Sequence, residues 1–193
     1  LSKLRTTKVT RKTNWVSPAQ IATGRFGDYQ IYFFYAHAEA NWDDPWQSFI
    51  QMPLQPSQPE GKLTYSQIDS TDWRQAALVI LAGCETTGNR VYNGAGLSGL
   101  QRSFFGAGAK QVLATFWKVD AEQVAQQMPV FLQEWDHSGD AILALQKMQQ
   151  TAIVSLRNDP YINYPHPRYW GAYNLTGTKT AAHGPAVVAS SVR

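Results

Sequence analysis

The chain has 193 residues, 44% hydrophobic, 12% aromatic and 16% charged, which is enough apolar side chain for one sizeable core in a single domain and too much for a disordered chain. No run approaches the ~18–20 apolar residues of a membrane span, no apolar stretch near the start resembles a secretory signal, and one cysteine forms no internal disulfide, so a reducing cytoplasm is the expected compartment. The formal net charge of +3 is uneven, because Lys3, Arg5, Lys8, Arg11 and Lys12 precede the first acidic residue, Asp28; with no interleaved aromatics or recognition motif, direct nucleic-acid contact is not expected.

Residues 1–28 read as a basic N-terminal segment that continues from upstream sequence, since the chain begins at Leu1 and not at methionine. The folded domain is expected over 29–177. It opens with "YQIYFFYA" (29–36), an aromatic and β-branched run that predicts a buried strand. "SFIQM" (48–52) and "KLT" (62–64), separated by the proline-rich "PLQPSQPEG", predict a small hairpin with a long loop. Thr64 and Gln67 then carry the T-x-x-Q spacing of a helix capping box. "AALVILAG" (76–83) is a second buried strand, "GLSGLQRSFFGAG" a short glycine-rich helix, and "KQVLATFW" (110–117) a third strand. Ala121, Val124, Ala125, Met128, Phe131, Leu132 and Trp135 mark one face of an amphipathic helix that Pro129 is expected to kink. A second such helix runs from about Asp140, with Ile142, Leu145, Met148 and Ala152 on one face. "YWGAYNLT" (169–176) reads as a last strand, and residues 178–193 as a disordered tail of small residues without a core face.

Strands alternating with helices predict an α/β fold whose sheet is mostly parallel and covered on both faces. In such sheets function gathers at the carboxyl ends of the strands. Two chemically able residues fall there. His37 follows the first buried strand, and Cys84 follows the second in "LVILAGCETTGN". The stretch between them exceeds the dozen or so residues that a parallel crossover needs. If the two strands adjoin, imidazole and thiol share one rim of the sheet. A free thiol has a pKa near ~8.5, and a neighbouring imidazole can take its proton and later return one to a leaving group. Cys84 thus reads either as a small buried hydrophobe or as the nucleophile of a Cys/His dyad.

The histidine-to-cysteine interval matches the roughly 50 residues of the caspase pattern. Further along, "LVILAGCETTGN" resembles the nucleophile segment of the CHAT domains, a caspase-like family often joined to tetratricopeptide repeats. "YQIYFFYAHAEANWDDPWQSFIQM" resembles that family's histidine segment, "GAGLSGLQRSFFGAGAKQVLATFWKVD" its helix and following strand, and "HPRYWGAYNLTG" its closing strand. The resemblance implies a caspase-like three-layer α/β fold with helices on both faces, shared with separases. It implies a cysteine endopeptidase acting on protein or peptide substrates, with Cys84 as nucleophile, His37 as general base, and the backbone amides of Cys84 and Ala38 as oxyanion hole. Regulation by tetratricopeptide-repeat or other regions of the same protein is part of that expectation, and no cofactor or metal is. Ala38 stands where the family usually has glycine, and its methyl group is expected to resist a positive φ or to crowd the oxyanion. Asp120 in "FWKVDAEQ" is either a pocket residue for a basic substrate side chain, as in separase relatives, or the N-cap of the following helix. Glu85, beside the thiol, would raise its pKa and is given a structural role.

Two other readings stay open. The domain could be an inactive docking or regulatory module, or the G-x-G-x-x-G of Gly94, Gly96 and Gly99 could bind a dinucleotide, although that motif should follow its strand at once. His137, His166 and His183 have no ligand-like spacing for a metal.

Overall fold

The computed structural model describes residues 9–10, 21, 30–41, 43–54, 60–82, 91–92, 96–97, 99–119, 121–160, 164–178 and 186–190. In chain order the elements are β1 (Val9–Thr10), β2 (Ile31–Tyr35), β3 (Ala38–Glu39), a 3-10 turn (Pro45–Gln47), β4 (Phe49–Gln51), β5 (Lys62–Thr64) and α1 (Tyr65–Asp69). These are followed by β6 (Leu78–Leu81), β7 (Val91–Tyr92), β8 (Gly96–Leu97), α2 (Leu100–Gly106), β9 (Gln111–Thr115), α3 (Ala121–Ser138), α4 (Ala141–Arg157), α5 (Pro167–Trp170), β10 (Tyr173–Gly177) and β11 (Ala186–Ser190).

The main sheet has the order β1-β11-β2-β6-β9-β10. All its pairs are parallel except the last, in which β10 runs antiparallel to β9. Successive side chains of a strand point to opposite faces, and the three central strands bury both. Tyr32, Phe34, Val79, Leu81, Val112 and Ala114 enter one cluster together with Leu100 and Phe104 of α2, Ile68 of α1, and Ile50 and Leu63 of the small antiparallel sheet β3-β4-β5. Ile31, Phe33, Leu78, Ile80 and Leu113 enter the other, against Val124, Met128, Phe131 and Trp135 of α3 and Ala144 and Met148 of α4. This is the α/β three-layer architecture, with a mostly parallel sheet covered on both faces. Gln101, buried on α2, ties the layers at one edge: its Nε2 donates to the Val112 carbonyl at 3.0 Å and its Oε1 accepts from Asn174 Nδ2 at 3.3 Å.

The long helices form a hairpin. Gly139 ends α3 at φ 66, in the left-handed conformation that glycine adopts without a Cβ penalty, and donates to the Trp135 carbonyl at 2.8 Å. Asp140 then caps α4 by accepting from Ile142 N at 2.9 Å. Helix α3 runs through Pro129, which lies on the solvent side. The buried faces differ from those that periodicity predicts. On α4 the buried residues are Ala141, Ala144 and Met148, while Ile142 is 54% exposed; on α3 Gln127 is buried and Ala121 and Ala125 are exposed. Ala141, Ala144 and Met148 belong to the second core cluster, whereas Ile142 and Leu143 are exposed.

The chain ends also differ from expectation. Ala186–Ser190, read from the sequence as part of a disordered tail, forms β11 between β1 and β2, with Ala186 opposite Ile31 and Ser190 opposite Tyr35. From the first 28 residues, Val9–Thr10 forms β1 and Ile21 is buried in the first cluster. A parallel strand takes its register from partners far away in sequence, so a short Ala/Val run gives little local signal. The expected strand over 169–176 is shortened as well, because Pro167–Trp170 is one turn of helix and the strand begins at Tyr173.

The capping box is present as predicted. Gln67 N donates to Thr64 Oγ1 at 3.3 Å, and Thr64 N donates to Gln67 Oε1 at 2.9 Å. Thr64→Ala should therefore cost about 1 kcal/mol, read as a lowered urea midpoint with unchanged slope.

Candidate active site

Strands β2 and β6 are neighbours in register, Phe34 facing Leu81, and Ala82 N donates to the Phe34 carbonyl at 3.0 Å just past the end of β6. The chain leaves β2 through buried Ala36 and reaches His37, whose side chain is exposed. On the other side of β6, β9 ends at buried Thr115 and is followed by Phe116, 39% exposed, and half-buried Trp117. Phe116 N donates to the Ala172 carbonyl at 2.8 Å, where β10 enters. One rim of the sheet thus carries His37, the end of β6 and the Phe116–Trp117 pair, in that order.

The backbone around His37 is held by the small sheet. Gln51 N donates to the His37 carbonyl at 2.7 Å, and Ala38 faces Ile50 in the antiparallel pairing. A bond at that position makes Ala38 and Ile50 a non-hydrogen-bonded pair, so the Ala38 N–H points away from β4. Ala38 lies in a strand and packs against the first core cluster. The extended backbone of a strand is open to any residue, so the conformational objection to alanine there does not arise. Beyond β3 the loop is braced by short polar bonds: Asn41 N donates to Ser48 Oγ at 3.0 Å, Asn41 Oδ1 accepts from Asp44 N at 2.9 Å, and Ser48 is fully buried. His37 therefore projects from a fixed platform.

Cys84, Glu85 and Asp120 lie outside the described residues. In the chain, Cys84 follows Ala82 by two positions, and Asp120 stands between Val119 and the first residue of α3. The structure therefore brings His37 and the end of β6 to one rim, and Cys84 and Asp120 are known by sequence position alone.

Phe116 and Trp117, expected from the sequence to lie within the strand over 110–117, instead follow β9, which ends at Thr115. Trp117 Nε1 donates to the Arg168 carbonyl at 3.2 Å, which ties this rim to α5. The signal was the aromatic pair directly after an all-buried strand, where a core residue would be expected to give way to a polar turn.

The dinucleotide reading does not fit the geometry. Gly96 belongs to β8, which pairs with β7, so a second hairpin stands between β6 and α2 and the glycines do not form a strand-to-helix phosphate turn. Gly94 lies outside the described residues. Of the histidines, His166 caps α5, its Nδ1 accepting from Arg168 N at 3.1 Å, and His137 lies in the last turn of α3; His183 lies outside the described residues. Among the described residues, no group of three or more His, Cys, Asp or Glu side chains could hold a metal ion, and no helix is long and apolar enough to cross a membrane.

The family model of the CHAT domain matches residues 3–178. No curated protein matches the chain.

Proposed function

The chain belongs to the CHAT domain family, and from that premise we propose that it is a caspase-like cysteine endopeptidase domain acting through Cys84 and His37. The observation that carries this reading is the adjacency of the carboxyl ends of β2 and β6, with exposed His37 at the first and Cys84 two positions past Ala82 at the second.

In this mechanism the Cys84 Sγ attacks the carbonyl carbon of the scissile peptide bond while the His37 imidazole takes the thiol proton. The oxyanion of the tetrahedral intermediate accepts from the N–H groups of Cys84 and Ala38; the outward direction of the Ala38 N–H supports that role. The imidazolium then gives its proton to the leaving amine as the C–N bond breaks, which leaves a thioester on Cys84. Water attacks the thioester, His37 again taking a proton, and the acid product leaves with the thiol restored. Phe116 and Trp117 border the site with apolar surface. Asp120 is the residue that would favour a basic side chain on the acyl side of the cut, with the N-cap of α3 as its other use. The substrate is a protein or peptide, the compartment a reducing cytoplasm, and regulation comes from other regions of the same protein, tetratricopeptide repeats among them.

The test is the rate of iodoacetamide labelling of Cys84 against pH, in the wild type and in His37→Ala. A fast rate with an apparent pKa below the ~8.5 of a free thiol, lost in the variant, is expected. A slow rate unchanged by the substitution would make the domain a docking module.

A further inference from the structure

The open end of the α3–α4 hairpin holds a groove of about 470 Å³, walled on its third side by Tyr169 of α5. That volume is in the range of small-ligand and side-chain pockets. Its floor is apolar, formed by Val130, Met148, Ala152 and Leu156. Its walls are rich in oxygen. Carboxylates stand on both helices, Glu122 in the first turn of α3 and Asp159 just past α4. The amides between them already engage an Nε2 within the protein: Gln126 with Glu122 Oε1 at 3.1 Å, Gln123 with the Arg168 carbonyl at 3.5 Å, and Gln127 with the Tyr169 carbonyl. Among the described residues that line it none is basic; Lys147, Arg157 and Arg168, each next in sequence to a lining residue, are exposed and do not line it. On a chain with a formal net charge of +3, the charged groups among the described lining residues are thus both carboxylates.

We infer that this groove is a docking site for an arginine- or lysine-bearing segment of a partner protein. A long basic side chain lays its methylene stem on an apolar floor and presents its N–H donors to carboxylate and amide oxygens at the edge. Charge complementarity selects such a segment over an acidic or wholly apolar one. The groove also shares a support with the rim, because Arg168, next to wall residue Tyr169, gives its carbonyl to Trp117 Nε1 at 3.2 Å. The inference does not depend on the peptidase reading, and binding is measured on the full chain carrying Cys84→Ala.

The probe is a fluorescein-labelled peptide of alternating arginine and leucine, with a glutamate and leucine counterpart, read by fluorescence anisotropy. The basic peptide should bind, and the acidic one should not. Glu122→Lys with Asp159→Lys should weaken binding about tenfold or more, with a loss that shrinks at high salt. Ala152→Trp, which fills the groove, should abolish it in a chain whose circular dichroism is unchanged, and Glu60→Lys on the small-sheet connection should have no effect. Equal weakening by Glu60→Lys, undiminished binding to Ala152→Trp, or no binding by the basic peptide would overturn the inference. If the peptide binds only after residues 1–12 are removed, the occupant is the chain's own basic segment and the partner assignment fails.

Discussion

His37→Ala should lower kcat/KM for a cleavable peptide by about 10²–10⁴-fold, the usual range for loss of a positioned proton-transfer group, and leave the thermal midpoint within about 2 °C of wild type. The two readouts separate because the imidazole and the backbone of residue 37 have different tasks. The side chain is exposed, whereas it is the carbonyl that accepts from Gln51 N at 2.7 Å and holds the start of β3. Alanine keeps that carbonyl. Cys84→Ala should abolish cleavage altogether, since no bond to the substrate can form, and the double variant should be no worse than Cys84→Ala because the pair acts as a unit. A peptide cleaved equally well by wild type and His37→Ala would remove the dyad from consideration. A fall in the thermal midpoint well beyond about 2 °C, with the rate lost in proportion to the unfolded fraction, would make His37 a structural residue.

What could be read from the sequence follows the range of the interaction that decides each feature. Strands β2, β6 and β9 announce themselves because both of their faces are buried, so they read as continuous apolar runs, and Thr64 and Gln67 announce a helix start because a capping box is local. That His37 falls at the carboxyl end of β2 needed only the rule that function gathers at the carboxyl ends of parallel strands, whereas the adjacency of β2 and β6 was a condition that the pairing of the two strands supplies. Direction and neighbour order were less legible. That β10 runs antiparallel to β9, and that β11 returns to pair with β2, are set by contacts between segments far apart in the chain. Burial on α4 was misjudged for a different reason. Ile142 is the more hydrophobic residue, yet Ala141 and Ala144 face the core, because the face a helix buries is decided by the elements it packs against and not by its own hydrophobic ranking. At the site, the exposure of Phe116 depends on where β10 enters at Ala172, which no local pattern encodes.

Phe104→Ala should cost about 3–5 kcal/mol, a drop in thermal midpoint on the order of 10 °C for a domain of this size, while Phe105→Ala next to it should change stability by less than about 1 kcal/mol. The sequence offers no way to tell the two apart. In the structure Phe104 is fully buried, its ring 4.7 Å from that of Trp73 and 5.4 Å from that of Phe34, whereas Phe105 is 42% exposed on the outer side of α2. Trp73 cannot move into the space left by Phe104, because its Nε1 is held on the Ile68 carbonyl at 2.9 Å, so the cavity stays open and its cost is not relieved by collapse. The damage should reach the rim. Phe34 is the β2 residue whose carbonyl receives Ala82 N, and it lies three positions before His37. Loosening Phe34 thus loosens the contact that sets the end of β6 against the end of β2. Phe104→Ala should lower both stability and kcat/KM, Phe104→Leu should restore part of each, and Phe105→Ala should change neither. If Phe104→Ala and Phe105→Ala unfold at the same urea concentration, α2 is not seated on β2 and the rim is held together by some other contact.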